Sequence, residues 1–151
     1  MDVVKQRRVA GQKSRVRPAQ VKGEQCFFVP LTLPGLNEII DARARYFTKG
    51  KKRVDRYQQL KKEYEGLIVA AIQLAKIKPV NRAYFIFTWI EPNRKRDKDN
   101  ISAAKKFLMD SLVAAGILKS DGWKHVVGWH ESFEINARKP GVRVQIFPDG
   151  G

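Results

Sequence analysis

Cysteine, long apolar runs and acidic residues are all scarce in this chain of 151 residues. The single cysteine, Cys26, cannot form an internal disulfide, and its place in an apolar run indicates a small core residue rather than a nucleophile. No stretch has the length of a membrane span or the character of a signal peptide, so the sequence predicts a cytosolic location and no membrane partner. Without a glycine-rich phosphate loop, an NTPase or another user of a nucleotide cofactor is disfavoured. The two histidines, His125 and His130, lack cysteine partners at metal-ligand spacing, which disfavours a zinc site.

Positive charge is what the chain has in excess, with 30 Lys and Arg against 15 Asp and Glu and a net charge of +15. Its 43% hydrophobic residues are enough for a folded core. Like charges repel one another in a compact fold, so the excess favours an anionic partner. Nucleic acid fits best, because neutralising its phosphates rewards many dispersed Lys and Arg. A solubility surface or a ribosome-like component is the alternative.

The apolar pattern predicts one α+β domain over residues 25–151, behind a flexible basic arm over residues 1–24. That arm holds seven Lys and Arg and few large apolar side chains. It either contacts phosphates or is partly vector-derived. Strands are predicted over 25–33, 83–90, 126–135 and 142–147, and helices over 37–45, 55–76 and 101–115. This order predicts a mixed sheet of about four to five strands packed with two main helices, ending in a hairpin at Pro140-Gly141.

An acidic pair inside a basic stretch follows the predicted central strand, in Arg94-Lys95-Arg96-Asp97-Lys98-Asp99-Asn100. An extended backbone places Asp97 and Asp99 on one side of the chain. Neighbouring carboxylates both stay ionised when a cation lies between them, and oxygen-rich sites suit Mg²⁺, with Mn²⁺ as a substitute. The alternative is an acidic turn, with the two aspartates paired to Arg or Lys. In both accounts Asn100 is a candidate cap of the following helix.

A third acid, Asp121, follows the next predicted helix in Leu118-Lys119-Ser120-Asp121-Gly122-Trp123. That helix carries the chain out and back, so Asp121 can return to the end of the strand. An ordinary turn aspartate before glycine is the alternative interpretation.

Taken together, these segments resemble the RusA family of Holliday junction resolvases. The resemblance rests on Arg96-Asp97-Lys98-Asp99-Asn100, Lys106-Phe107-Leu108-Met109-Asp110-Ser111-Leu112, Ala115-Gly116 and Asp121. It covers roughly residues 82–125, and residues 26–81 are compatible with it. It implies a RusA-like nuclease domain of phage or prophage origin in the bacterial cytoplasm. It also implies a homodimer, for which Trp123, Trp129 and Phe133 supply either an interface or part of the core.

The activity implied by the resemblance is that of a Mg²⁺-dependent endodeoxyribonuclease. Such an enzyme hydrolyses phosphodiester bonds in four-way junctions and other branched DNA, in recombination, repair or phage DNA processing. By resemblance, Asp97, Asp99 and Asp121 are the catalytic metal ligands. The predicted DNA contacts are Arg94, Lys95, Arg96 and Lys98 beside the acids and Lys51, Lys52 and Arg53 in an earlier loop. A non-enzymatic basic nucleic-acid-binding module is the alternative function.

The resemblance leaves the catalytic lysine open between two neighbours. The family places this lysine four residues before the helix aspartate, which maps it onto Lys106 ahead of Asp110. A short insertion after Asn100 disturbs that alignment, so Lys105 competes for the role. The chain also departs from the family's adjacent acids near the last ligand, where it has Ser120 before Asp121.

Overall fold

Strands and helices alternate irregularly along the chain. The structure, a computed structural model, describes residues 23–50 and 52–149, so most of the predicted basic arm and Lys51 lie outside the described residues. The elements are β1 (Gln25–Pro30), α1 (Leu36–Arg43), β2 (Tyr46–Lys49), β3 (Lys52–Asp55), α2 (Arg56–Leu74), β4 (Ala83–Glu91), α3 (Lys98–Ser102), α4 (Lys105–Ala114), β5 (Val126–Ile135) and β6 (Gly141–Pro148).

One mixed sheet has the strand order β1-β6-β4-β5, and β2 and β3 form a separate antiparallel pair. Strand β4 runs parallel to β5 and antiparallel to β6, which in turn pairs antiparallel with β1. Parallel neighbours need a crossover connection, and α3 and α4 provide it between β4 and β5. The predicted α+β fold with one mixed sheet is confirmed.

Aromatic side chains on one face of β4 form the centre of the core. Phe85, Phe87 and Trp89 are at most 3% exposed, and the centroids of neighbouring rings lie 6.0 and 6.2 Å apart. On the opposite face, Tyr84 is partly exposed whereas Ile90 is buried. Strand β4 is therefore buried on both faces towards its C-terminal end, before the acidic segment.

Helix α2 covers this core together with α4. It begins after Asp55, whose side chain accepts hydrogen bonds from the backbone N–H groups of Tyr57 and Gln58. Tyr57 is buried and stacks on Phe107 of α4, with ring centroids 6.2 Å apart. Tyr64 of the same helix also packs against the core, so both tyrosines are core contacts.

The predicted hairpin between the last two strands is wrong. Strand β4 lies between β5 and β6, so the turn at Pro140-Gly141 delivers β6 to β1 and β4 instead. Five residues connect β5 to β6. They reach about 16 Å, more than the roughly 9.6 Å across one intervening strand. A turn motif indicates that the chain reverses direction, but it does not indicate which strand the following strand pairs with.

Three other local predictions also differ from the structure. The helix predicted over 101–115 is two helices, because the chain turns at Ala103-Ala104 and α3 already begins at Lys98. The cationic loop around Gly50 is the pair β2–β3. Cys26 is exposed, since Phe27 and Val29 take the buried positions of the alternation in β1.

Among the described residues, no helix combines the length and apolar character needed to cross a membrane.

Candidate active site

The predicted acidic pair lies where the central strand gives way to α3. Asp97 is the N-cap residue of α3, with an extended backbone, whereas Asp99 is in the first helical turn, so the expectation of an extended backbone through both acids is wrong at Asp99. Acidic side chains are favoured there, because the N–H groups of a first helical turn have no partner within the helix. Both side chains are exposed and line one cleft of about 740 Å³, together with Arg94, Lys98 and Glu134.

Arg96 fastens this segment to the end of β4. Its guanidinium donates to both carboxylate oxygens of Glu91, at 3.0 and 2.8 Å, and to the carbonyl oxygen of Leu33 at 3.0 Å. Glu91 is only 5% exposed, so the bidentate pair compensates a buried charge. Because these bonds engage all three guanidinium nitrogens, Arg96 is less available to DNA than the exposed neighbours Arg94 and Lys95.

Asn100 provides a second attachment, this time to α1. Its Oδ1 accepts a hydrogen bond from the backbone N–H of Asn37 at 3.1 Å. The prediction that Asn100 caps the helix following it is wrong, because Asp97 is the N-cap residue of α3. Asn100 instead accepts the hydrogen bond of a backbone N–H in the first turn of α1. A Cβ atom on Gly35 would lie 2.7 Å from Asn100 Oδ1 and 2.9 Å from Arg96 Nη1. The approach of α1 to the acidic segment therefore requires glycine at this position.

Lys106, rather than Lys105, contacts the third predicted ligand. Its Nζ lies 3.1 Å from Asp121 Oδ2 and 3.1 Å from Asp110 Oδ1. The hydrogen bonds that Lys106 donates to Asp110, which has the larger effect, and to Asp121 raise the pKa of Lys106. Asp110 also faces Lys61, with the two charged groups 3.4 Å apart. This small network keeps the ammonium of Lys106 charged and holds it at the N-terminal end of α4.

Lys105 belongs to a different ion pair, on β5. Its Nζ donates to Glu131 Oε2 at 2.8 Å and lies 4.9 Å from the ring centroid of Trp129. Glu131 Oε1 accepts a hydrogen bond from the indole of Trp89 at 2.9 Å. These contacts tie α4 to the sheet, which is a structural role.

The three predicted metal ligands do not line one cavity. Asp121 lines two other cavities, both shared with Lys106. Within residues 23–50 and 52–149, no group of three or more His, Cys, Asp and Glu is placed to hold a metal ion. Two carboxylates can nevertheless suffice for Mg²⁺, which keeps several waters and commonly takes one or two carboxylates plus phosphate oxygens. Asp97 and Asp99 line one cleft and are therefore the candidate ligands of such an ion, and the participation of Asp121 stays a prediction.

The predicted DNA-contacting cations fall into two groups. Arg94, Lys95 and Lys98 are exposed around the cleft, and Lys98 Nζ lies 5.6 Å from the ring centroid of Phe133. Lys52 and Arg53 belong to β3, and their side chains, like the whole of Lys51, lie outside the described part of the chain.

Sequence reasoning missed the two acids that organise the surroundings, Glu91 and Glu131. Glu91 closes an apolar strand five residues before Arg96, and that spacing was the available signal for an ion pair. Glu131 alternates with apolar residues on β5, and no local pattern distinguishes it from a solvated glutamate. The pairing of β4 with β5 brings Trp89 to Glu131, and the approach of α4 to the sheet brings Lys105.

Comparisons with known proteins give no further guide. A scan against protein-family models finds no match to this chain, and a search of the curated proteins also finds none. The resemblance to the RusA family therefore rests on the residues and spacings quoted above.

Proposed function

We propose that this protein is a metal-dependent endodeoxyribonuclease that hydrolyses phosphodiester bonds in branched DNA. The observation that carries the proposal is the exposed carboxylate pair Asp97 and Asp99, in a cleft with Arg94 and Lys98, within a chain of net charge +15. Exposed carboxylates weaken the binding of a polyanion unless a hard cation joins them to its phosphates. The resemblance to the RusA family supplies the reaction class and the branched substrate.

The residues of the cleft divide the chemistry by position. Asp97 and Asp99 would hold Mg²⁺, which when bound supplies charge neutralisation at a phosphate and a more acidic water. Arg94 and Lys98 bind the neighbouring phosphates of the backbone, contacts that carry no sequence information. Lys106 lies outside this cleft, where it pairs with Asp110 and Asp121, and the resemblance assigns it the stabilisation of negative charge on the DNA.

The test is cleavage of an end-labelled synthetic four-way junction in Mg²⁺, beside a linear duplex of the same sequence. Asp99→Asn and Asp97→Asn should each slow cleavage by at least about 100-fold, because a metal ligand is lost. Junction binding without metal should be preserved or strengthened, since a repulsive charge is removed. Asp149→Asn is the matched control, because Asp149 pairs with Arg82 at the opposite end of β4.

Cleavage by Asp99→Asn at the wild-type rate would show that the site assignment is wrong. Equal cleavage of junction and duplex by the wild-type protein would point to a nuclease without structure selectivity. The resemblance also implies a symmetric homodimer with two clefts acting on opposing strands. Light scattering at cleavage concentrations tests this, and a monomeric mass throughout contradicts it.

A second candidate function is non-enzymatic binding of nucleic acid. It is favoured by the ion pairs of Asp121 with Lys106 and of Asp110 with Lys106, which give the third acid an ordinary structural role. Under this alternative, the wild-type protein binds junctions equally well with and without Mg²⁺ or Mn²⁺ and cuts nothing. The same cleavage assay therefore separates the two functions.

A further inference from the structure

Trp123 stands almost fully in solvent, with 97% of its surface exposed. A single exposed aliphatic side chain needs no explanation, but an indole is large and is highly buried on average in folded proteins. Trp123 also occupies a particular place, two residues after Asp121 in the connection from α4 to β5.

The connection is anchored before Trp123. Ile117 and Leu118 are 4% and 2% exposed, so the chain leaves α4 along the core. Asp121 then accepts a hydrogen bond from Lys106 at 3.1 Å. The chain is therefore held to α4 two residues ahead of the indole.

It is anchored again immediately after Trp123. The backbone N–H groups of His125 and Val126 both donate to the carbonyl oxygen of Gly122, at 3.1 and 3.0 Å. The ring Nδ1 of the buried His125 lies 2.6 Å from the carbonyl oxygen of Asn81. With both sides of the turn fixed, the backbone presents the indole at a defined position rather than on a loose loop.

The chain on both sides of Trp123 carries exposed cations. Lys119 and Lys124 are exposed on either side of it along the chain, and the one acid of this turn, Asp121, is paired with Lys106. A flat aromatic face between exposed lysines suits a nucleobase with its phosphates, since the base stacks while the cations follow the backbone. An apolar surface of a protein partner would offer no negative charge to these lysines.

We propose that Trp123 is a stacking site for a nucleobase with an unstacked face, with Lys119 and Lys124 contacting the adjacent phosphates. The proposal rests on the proposed function for the identity of the polyanion as DNA. A base inside a continuous duplex is already stacked on both faces, whereas a base at a branch point or in a single strand has a face available. The site would therefore favour branched over linear DNA.

The test compares Trp123→Ala and Trp123→Phe with the wild-type protein by fluorescence anisotropy, without divalent metal. Affinity for a four-way junction and for single-stranded DNA should fall about 5- to 150-fold in Trp123→Ala, the range for loss of one base–aromatic stack. Trp123→Phe should retain part of the affinity for the junction and for single-stranded DNA. The affinity of both variants for linear duplex should differ from that of the wild type by less than about twofold. Leu74→Ala, at another apolar side chain that is 84% exposed, is the matched control and should bind as wild type.

A second readout places 2-aminopurine at the branch point of the junction. The wild-type protein should quench its fluorescence by stacking, and Trp123→Ala should not. Equal loss of affinity for duplex and junction, or no loss, overturns the stacking site. So does a fall in molar mass of Trp123→Ala in light scattering, which would make the indole a contact between copies. Because binding is measured without metal, a wild-type protein that binds but does not cut refutes only the proposed nuclease activity.

Discussion

Replacing Arg96 by methionine should destabilise the fold, because it leaves the carboxylate of Glu91 buried without its partner. The Glu91 side chain is 7% exposed and that of Arg96 is 23% exposed, so most of the pair is shielded from water. Breaking such a pair by removing one member costs about 3–5 kcal/mol. Since solvent reaches part of Arg96, the lower end of that range, about 3 kcal/mol, is expected.

The double variant Glu91→Leu with Arg96→Met isolates this effect. It removes both charges of the pair, leaves the carbonyl oxygen of Leu33 without its hydrogen bond at about 1 kcal/mol, and loses the 3.9 Å contact of Arg96 with the exposed Glu38, which contributes little. The double variant should therefore be more stable than Arg96→Met alone, by about 2 kcal/mol. Urea unfolding of the wild type, both single variants and the double variant, followed by far-UV circular dichroism, measures this as a double-mutant cycle.

Two outcomes would refute the reasoning. A loss below about 1 kcal/mol in Arg96→Met would place the pair in the range of exposed ion pairs. A double variant no more stable than Arg96→Met would show that the guanidinium acts through its other contacts rather than through Glu91.

The remaining predictions concern Gly35 and Lys106. Gly35→Ala should cost about 1–3 kcal/mol in urea unfolding, because its Cβ would press on Asn100 and Arg96. Gly66→Ala, with open space inside α2, is the control and should stabilise by about 0.5–1 kcal/mol; equal effects would contradict the close approach. The pKa of Lys106 is raised above its ordinary 10.5 by Asp110 and Asp121, so its stabilisation is present below that pH and lost above it. The difference in Tm between wild type and Lys106→Met should be constant from about pH 7 to 9 and shrink above about pH 10.5, and a difference that persists there would exclude the ion pairs.

Local pattern was enough to predict much of the fold. The helical spacing of Tyr57, Leu60, Tyr64 and Ile68 reports which side of α2 is buried, because a helix repeats every 3.6 residues. The apolar run of β4 similarly indicates a central strand. The position of Asp97 and Asp99 directly after that strand followed from the sequence as well. Each of these properties depends on residues a few positions apart.

Long-range pairing could not be predicted in this way. Nothing in the turn at Pro140-Gly141 reports that β4 separates β5 from β6, because strand order depends on which edges the packed helices leave open. The exposure of Cys26 had the same cause, since alternation predicts two faces and only packing decides which one is covered.

The sequence alone determined the main helices and the strands of the large sheet, the basic charge of the chain and the place of the acidic pair after the central strand. Periodicity and composition are local quantities, and the chain carries them whatever its final shape. Only the tertiary structure decided that Lys106 contacts Asp121, that Asn100 accepts a hydrogen bond from the first turn of α1 and that Arg96 pairs with Glu91. Those partners come from different elements, and packing of the helices on the sheet brings them within bonding distance. The same packing leaves Asp97 and Asp99 in one cleft and Asp121 in another.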